Sequence, residues 1–373
     1  MGWRVKKIFL SLLLLCLFLT GCGKNNDKDI LKGFQDKVNN ANSYFLTGSM
    51  ELINNEDVYN YKIDVSYAKD DFYKIELTNA VNDHKQIILR NNEGVYIVTP
   101  SLNKSFKFQS DWPYNNSQVY LLSSLMEDIT NDENREFTSN NEGYIFTSSV
   151  NYPNNEKLVK QKVYFGKDYL PTKVEVLDND GNVGIKMVFD KIDLRTEFND
   201  TYFDLNSILT PKENQESSDD KKNNTNNNDN TTNNNTNSDG ENQEPTDSNN
   251  TENNKTKETA TIEDIIYPMY LPVNTYLTKQ ERVNTEDGER LILTFTGDSS
   301  FVLMEQVAKY SDTPEIIPTY GKPELIGSSL AVVNDNSANW FDNGIEYYIV
   351  SDVMKEDELL QVVRSISVLP VSK

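Results

Sequence analysis

Two cysteines, Cys16 and Cys22, and one histidine, His84, are the only thiol and imidazole groups in this 373-residue sequence. Zinc and copper sites need three or four convergent nitrogen or sulfur ligands, and a Cys/His nucleophile needs both partners within hydrogen-bond reach. With Cys16 inside an apolar N-terminal run of the sequence and His84 placed just before a candidate strand, neither arrangement can be assembled. Hard-cation and acid–base chemistry would have to come from the 58 Asp and Glu residues. Asp178, Asp180 and Gly181 have the spacing of part of a calcium loop, but Val176 and the lack of a Glu at the required distance favour a hairpin turn there. No G-x-S-x-G, P-loop or dinucleotide fingerprint occurs. Paired glycosidase carboxylates need a fixed separation, whereas acidity spread this evenly marks a solvated surface. The sequence therefore reads as a non-enzyme, with no catalytic residue, metal or dissociable cofactor.

The residue placed for covalent chemistry is Cys22. Arg4, Lys6 and Lys7 precede an apolar run over residues 8–19, broken only by Ser11, which is the layout of a secretory signal. Twelve residues are too few to span a bilayer as a mature helix. Leu19-Thr20-Gly21-Cys22 directly after that run resembles the bacterial lipobox. The resemblance implies cleavage between Gly21 and Cys22, a diacylglyceryl thioether on the Cys22 sulfur and an N-acyl chain such as palmitate on the new amine. Residues 1–21 are then a lipoprotein signal peptide and 22–26 the lipidated N-terminus, held on the outer face of the cytoplasmic membrane or on a spore-associated membrane. Without residues 1–21 the chain keeps 33 Lys and Arg against 58 Asp and Glu, a formal charge of −25. Such a charge argues against nucleic acid and against anionic lipid headgroups as direct partners. It also leaves no thiol for a disulfide, so stability must come from packing.

The remaining elements fall into two blocks. Ile30, Leu31, Phe34, Val38 and Ala41 recur at helical spacing behind Asp27 and Asp29. The period then changes to two: Tyr59, Tyr61, Ile63, Val65 and Tyr67 alternate with polar residues, and short strands follow over 72–77, 85–90, 94–99 and 104–108. A second helix carries Leu121, Leu122, Leu125, Met126 and Ile129 on one face, with Ser117 as its expected cap. Strands resume over 143–150, 159–165, 172–177 and 183–190, so residues 27–209 read as an antiparallel β domain with two covering helices. From Lys212 to Thr259 no aliphatic or aromatic side chain occurs, so residues 210–260 read as a disordered Asn/Thr-rich linker with a span of ~40 Å. Residues 261–373 read as a small α+β domain, with strands over 290–296, 300–306, 331–334 and 345–350 and a last helix capped by Ser351 or Asp352.

In the first block, Gln86-Ile87-Ile88-Leu89 running into 94–100, Lys162-Val163-Tyr164-Phe165 with 170–174, Asp180-Gly181 and Phe203 resemble the LolA/LolB-like lipoprotein-carrier family. That resemblance implies a strongly curved antiparallel sheet, an open barrel, closed by helices around an apolar cavity. Tyr61, Tyr67, Phe72, Tyr96, Phe106, Phe108 and Trp112 fall on or beside this sheet. Two readings stay open for them: in carrier-like relatives the concave face holds acyl chains, and in a small barrel the same aromatics fill the core. In the second block, Tyr270-Leu271-Pro272, 288–293, 301–306, Trp340 and 344–348 resemble the C-terminal module of sporulation lipoproteins of spore-forming bacteria. The combined order implies a membrane-anchored protein-interaction module in sporulation or germination, with a cortex peptidoglycan amidase as its partner. The alternative is a binder of lipid or lipoprotein acyl chains.

Overall fold

The computed structural model describes residues 26–54, 57–109, 116–153, 155–209 and 261–366. Trp112, the Leu19–Cys22 motif and residues 210–260 lie outside them. Helix α1 (Asp27–Asn40) starts where the sequence places it: the Asn26 side chain accepts from the Asp29 N–H at 2.9 Å, and Asp27 and Asp29 occupy the positive end of the helix. Ile30, Leu31, Phe34 and Val38 form its buried stripe.

Six strands follow as a meander: β1 (Ser43–Asn54), β2 (Asp57–Ala68), β3 (Phe72–Asn79), β4 (Lys85–Asn91), β5 (Gly94–Thr99) and β6 (Lys104–Phe108). Helix α2 (Leu122–Asn131) then precedes β7 (Glu136–Ser139), β8 (Tyr144–Ser149), β9 (Leu158–Phe165), β10 (Pro171–Asp178), β11 (Val183–Asp193) and a one-turn helix α3 (Leu205–Ile208). Ser117 does not cap α2. Its hydroxyl donates to Asp128 at 3.0 Å and accepts from the Asn151 N–H at 2.8 Å, because the chain needs four more residues to reach the helix start at Leu121. The Asp178–Gly181 turn is a hairpin turn as expected, with Asp178 accepting from the Asp180 and Asn182 N–H groups and Gly181 at φ +86.

These eleven strands are antiparallel throughout, and β1 joins the two runs by pairing with both β2 and β11. At that joint the register shifts beside Gly48, where a Cβ would stand 2.2 Å from the Val188 carbonyl oxygen. The sheet is open, with one end at β7. Both of its faces are buried over β4 and β5. The inner face packs Ile63, Ile75, Ile88 and Ile97 with α1 and α2, and the outer face packs Ile87, Leu89, Tyr96 and Val98 with Phe203, Leu205 and Leu209.

The second block comprises β12 (Thr275–Thr285), β13 (Gly288–Gly297), β14 (Phe301–Val307), β15 (Glu315–Thr319), β16 (Lys322–Ile326), β17 (Ser329–Val333), β18 (Ser337–Asp342), β19 (Ile345–Val350) and helix α4 (Glu356–Arg364). Seven of these strands form one antiparallel sheet in the order β12-β13-β14-β19-β18-β17-β16. The expectation of a small α+β domain is corrected to a sheet-dominated half: its one helix among the described residues, α4, packs Leu359, Leu360, Val362 and Val363 with Leu291, Leu293 and Trp340 of the sheet. The excess of strand comes from segments such as β12, whose sequence TYLTKQERVNT is solvated on both faces and so has no apolar alternation. Lys355 is the residue before α4. Ser351 instead closes the preceding turn, accepting from the Val353 and Met354 N–H groups.

Candidate functional site

The candidate cavity residues split between the two faces of the first sheet. Tyr61, Phe106 and Phe108 are buried on the inner face, and Tyr67 packs beside them on Tyr44 and Tyr73 with ring centroids at 4.9 and 5.0 Å. Phe72 and Tyr96 lie on the outer face, where Phe72 meets Phe203 at 5.7 Å. The register explains the split, since Ile97, not Tyr96, stands opposite Phe106, and Tyr73, not Phe72, stands opposite Tyr67. The six of them among the described residues therefore do not share one face.

The second half covers part of the inner face. Leu330, Val332 and Phe341 belong to the same buried cluster as the inner-face residues of β1–β6, and Phe341 stacks on Phe106 at 5.3 Å with the planes 20° apart. Gln86, buried on the inner face, completes the backbone of Leu330 as a neighbouring strand would: its Oε1 accepts from the Leu330 N–H at 2.6 Å and its Nε2 donates to the Leu330 carbonyl at 3.4 Å. The Tyr61 hydroxyl donates to the Gly327 carbonyl. Gly327 sits at φ +51, where glycine is favoured, and a Cβ there would stand 3.2 Å from the Tyr59 ring, so the turn lies close against β2.

A second seam runs along the sheet edge. β15 leaves the second half and adds in parallel to β6, so it is the twelfth strand of the first sheet. Lys104 pairs with Glu315 at 3.1 Å, and Gln109 N–H donates to the Thr319 carbonyl at 2.8 Å. This is strand addition of the kind used for peptide recognition, made here within one chain. Pro318 in β15 offers no N–H, which suits the outermost strand.

Where the seams meet, Asn82, Asp83, His84, Lys85, Ser101 and Asn343 line an open polar recess of ≈ 340 Å³. Asn82 donates to Asn343 across it at 3.1 Å. His84 is half-buried, and burial holds its imidazole below the ordinary range although Asp342 lies near enough to favour the cation. Burial likewise raises the Asp342 carboxyl, against the Ser328 hydroxyl that donates to it at 2.6 Å.

Two other carboxyls stand well above their usual range through burial. Asp128 reaches about 6 despite hydrogen bonds from Ser117 and Gln161, and Glu305 reaches about 7 despite accepting from the Ile266 N–H. Each has a structural role in the partners it holds. Among the described residues no group of three or more His, Cys, Asp or Glu side chains is placed to hold a metal. The sequence reading missed Gln86, Gly327 and Phe341. The continuous apolar run Leu330-Ala331-Val332-Val333 was the available signal, because a strand without alternation is buried on both faces.

A family model described as sporulation protein YdcC-like matches residues 4–203. Sporulation protein YdcC of Bacillus subtilis (strain 168) is 32% identical over 366 residues, which is 97% of each chain. Among solved structures, the LolA superfamily protein NE2245 of Nitrosomonas europaea is similar to 47% of this chain over 96% of its own, with 11% identity and a TM-score of 0.28. The complex of the CwlD amidase of Clostridioides difficile with the GerS lipoprotein is similar over 47% of this chain and 98% of that one, with 16% identity and a TM-score of 0.21. At those scores neither likeness transfers a ligand or a partner to this chain.

Proposed function

The chain belongs to the sporulation protein YdcC-like family, and on that footing we propose that it is a lipid-anchored, non-catalytic module that holds a protein partner at a membrane during sporulation or germination. The observation that carries the reading is the covered inner face. An acyl-chain carrier needs that face open to its cargo, whereas here Phe341, Leu330 and Val332 are packed into it from the same chain. The Cys22 acyl chains are the proposed anchor, and two or three of them give stable attachment where one is marginal. Tethering raises the local concentration of whatever the module binds, so a modest interface is enough at the surface. A cell-wall enzyme of the cortex amidase class is the partner that fits a sporulation role, and it would be bound through the first block of the chain. Two measurements on the acyl-free form separate this from its rivals. Native mass spectrometry is expected to give the bare chain mass, and incubation with cortex peptidoglycan is expected to release no muropeptides. A stoichiometric acyl lipid would replace the reading by a carrier, and released muropeptides would replace it by a hydrolase.

A further inference from the structure

An edge strand carries a row of backbone groups that only another strand can pair, and folded proteins usually shorten, twist or cover such edges. Among the described residues β12 ends the second sheet, pairs with β13 alone and runs for eleven residues with side chains mostly solvated on both faces. Exposed apolar side chains are concentrated beside it. Of the thirteen large apolar residues exposed among the described residues, eight fall between Tyr267 and Val283, with Met269 at 86%, Val273 at 82% and Tyr276 at 64%.

The pairing with β13 tells which β12 residues share a face. Gln280 and Arg282 stand opposite the core residues Leu293 and Leu291, as Leu277 stands opposite Phe295. Tyr276, Lys279, Glu281 and Val283 stand opposite Thr296, Thr294, Ile292 and Arg290 and so turn away from the core, with the register shift between Leu277 and Lys279 absorbing Thr278. Read along the strand, the outward face is apolar, positive, negative, apolar. That order is complementary to its own reverse, and reversal is what an antiparallel copy presents.

We propose that β12 is a homodimer interface, in which a second copy pairs antiparallel about a two-fold axis at Gln280. Lys279 then faces Glu281 of the second copy and Glu281 faces Lys279 of the second copy, while across the bulge Tyr276 meets Val283 of the second copy, twice. The charges select this register. Moving the axis to residue 279 or 281 sets Lys279 against Lys279 or Glu281 against Glu281, and half-step registers put residues of opposite faces across from each other. Tyr267, half exposed, donates to the Gln280 side chain at 3.0 Å and so stands beside the axis, where its counterpart would meet it. Within one copy Lys279 and Glu281 already pair at 2.8 Å along the strand, with 62% and 43% of their side chains exposed, so both are in place for the cross-strand exchange. The proposal does not depend on which partner the first block binds.

Sedimentation of the chain from residue 22 onward, carrying Cys22→Ser, tests it. The unmodified edge is expected to give a concentration-dependent dimer. Lys279→Glu and Glu281→Lys each set like charges together at two symmetric places and should weaken dimerisation roughly tenfold or more. An equimolar mixture of those two variants should recover the dimer, because one copy then presents two negative and the other two positive residues. That recovery cannot come from the pairing within a strand, which both variants lose. In the same thiol-free background Gln280→Cys should cross-link to a dimer under mild oxidation, since directly opposed residues have the Cα spacing a disulfide needs. A chain that stays monomeric at about 100 µM, a mixture that stays monomeric, or Gln280→Cys linking no better than Val81→Cys overturns the proposal.

Discussion

Phe341→Ala should loosen the two halves from each other while leaving each one folded. Phe341 is 2% exposed, and although it belongs to β18 its ring lies in the core of the first sheet, stacked on Phe106. Its neighbour Trp340 points the other way, onto Tyr347 at 5.0 Å within the core of the second half, as alternation along a strand requires. Removing a buried phenylalanine ring costs about 3–5 kcal/mol. Because the contacts of this ring run between the halves, the loss falls mainly on their association. At about 1.4 kcal/mol per tenfold, a loss of about 3 kcal/mol raises the open fraction by roughly 150-fold. Hydrogen exchange reads this directly, since locally opened amides exchange in proportion to the opening equilibrium. Peptides covering β15 and β6 should exchange on the order of a hundredfold faster in the variant, and those covering β13 should keep their rates. Unchanged exchange at β15 in a folded Phe341→Ala protein would refute the account of the seam. So would equal acceleration in β13, which would mean that the ring supports the second half alone.

Glu305 sets a pH dependence. Its carboxyl titrates at about 7 when folded against about 4.3 when unfolded, so its contribution is complete below the unfolded value and is lost as pH rises through about 7. The second half should therefore be less stable at pH 8.5 than at pH 6 by about 1.4 kcal/mol, and so melt at lower temperature, most of the loss having already occurred between about pH 4 and pH 6; Glu305→Gln should flatten that dependence in a calorimetric pH series. Gly48→Ala forces the backbone apart where β1 meets β11, because its Cβ would lie 2.2 Å from the Val188 carbonyl oxygen. A loss of about 1–3 kcal/mol in urea unfolding is expected, and an unchanged midpoint would contradict that close approach. Cys22→Ser should move the protein from the membrane to the soluble fraction, and retention after alkaline wash would mean that residues 8–19 act as an uncleaved anchor.

The strands with one wet face were legible in the sequence. The alternation of Tyr59 to Tyr67 became β2, and the helix behind Asp27 became α1, within two or three residues. Six strands escaped, β1, β7, β12, β15, β16 and β18, and two of them did so for opposite reasons. In β1 the alternation of Tyr44, Leu46 and Met50 is interrupted by Gly48, and in β12 there is no buried face to alternate. The aromatic set was legible as buried but not as divided, because assigning Tyr96 and Phe72 to the outer face requires the cross-strand register, which depends on pairings distant in the chain. The seam was the least legible part. Leu330, Val332 and Phe341 have the composition of any core, and nothing local in them says that the core they complete belongs to residues more than two hundred positions away.

The central claim, that this is an anchored module for a protein partner, is tested most directly by affinity capture of the lipidated full chain from sporulating cells, with proteins and lipids identified from the same eluate. The account predicts recovery of a cortex amidase with the chain, lost when residues 27–209 are deleted and retained when residues 261–373 are deleted. Recovery of bound lipid with no wall enzyme would contradict it.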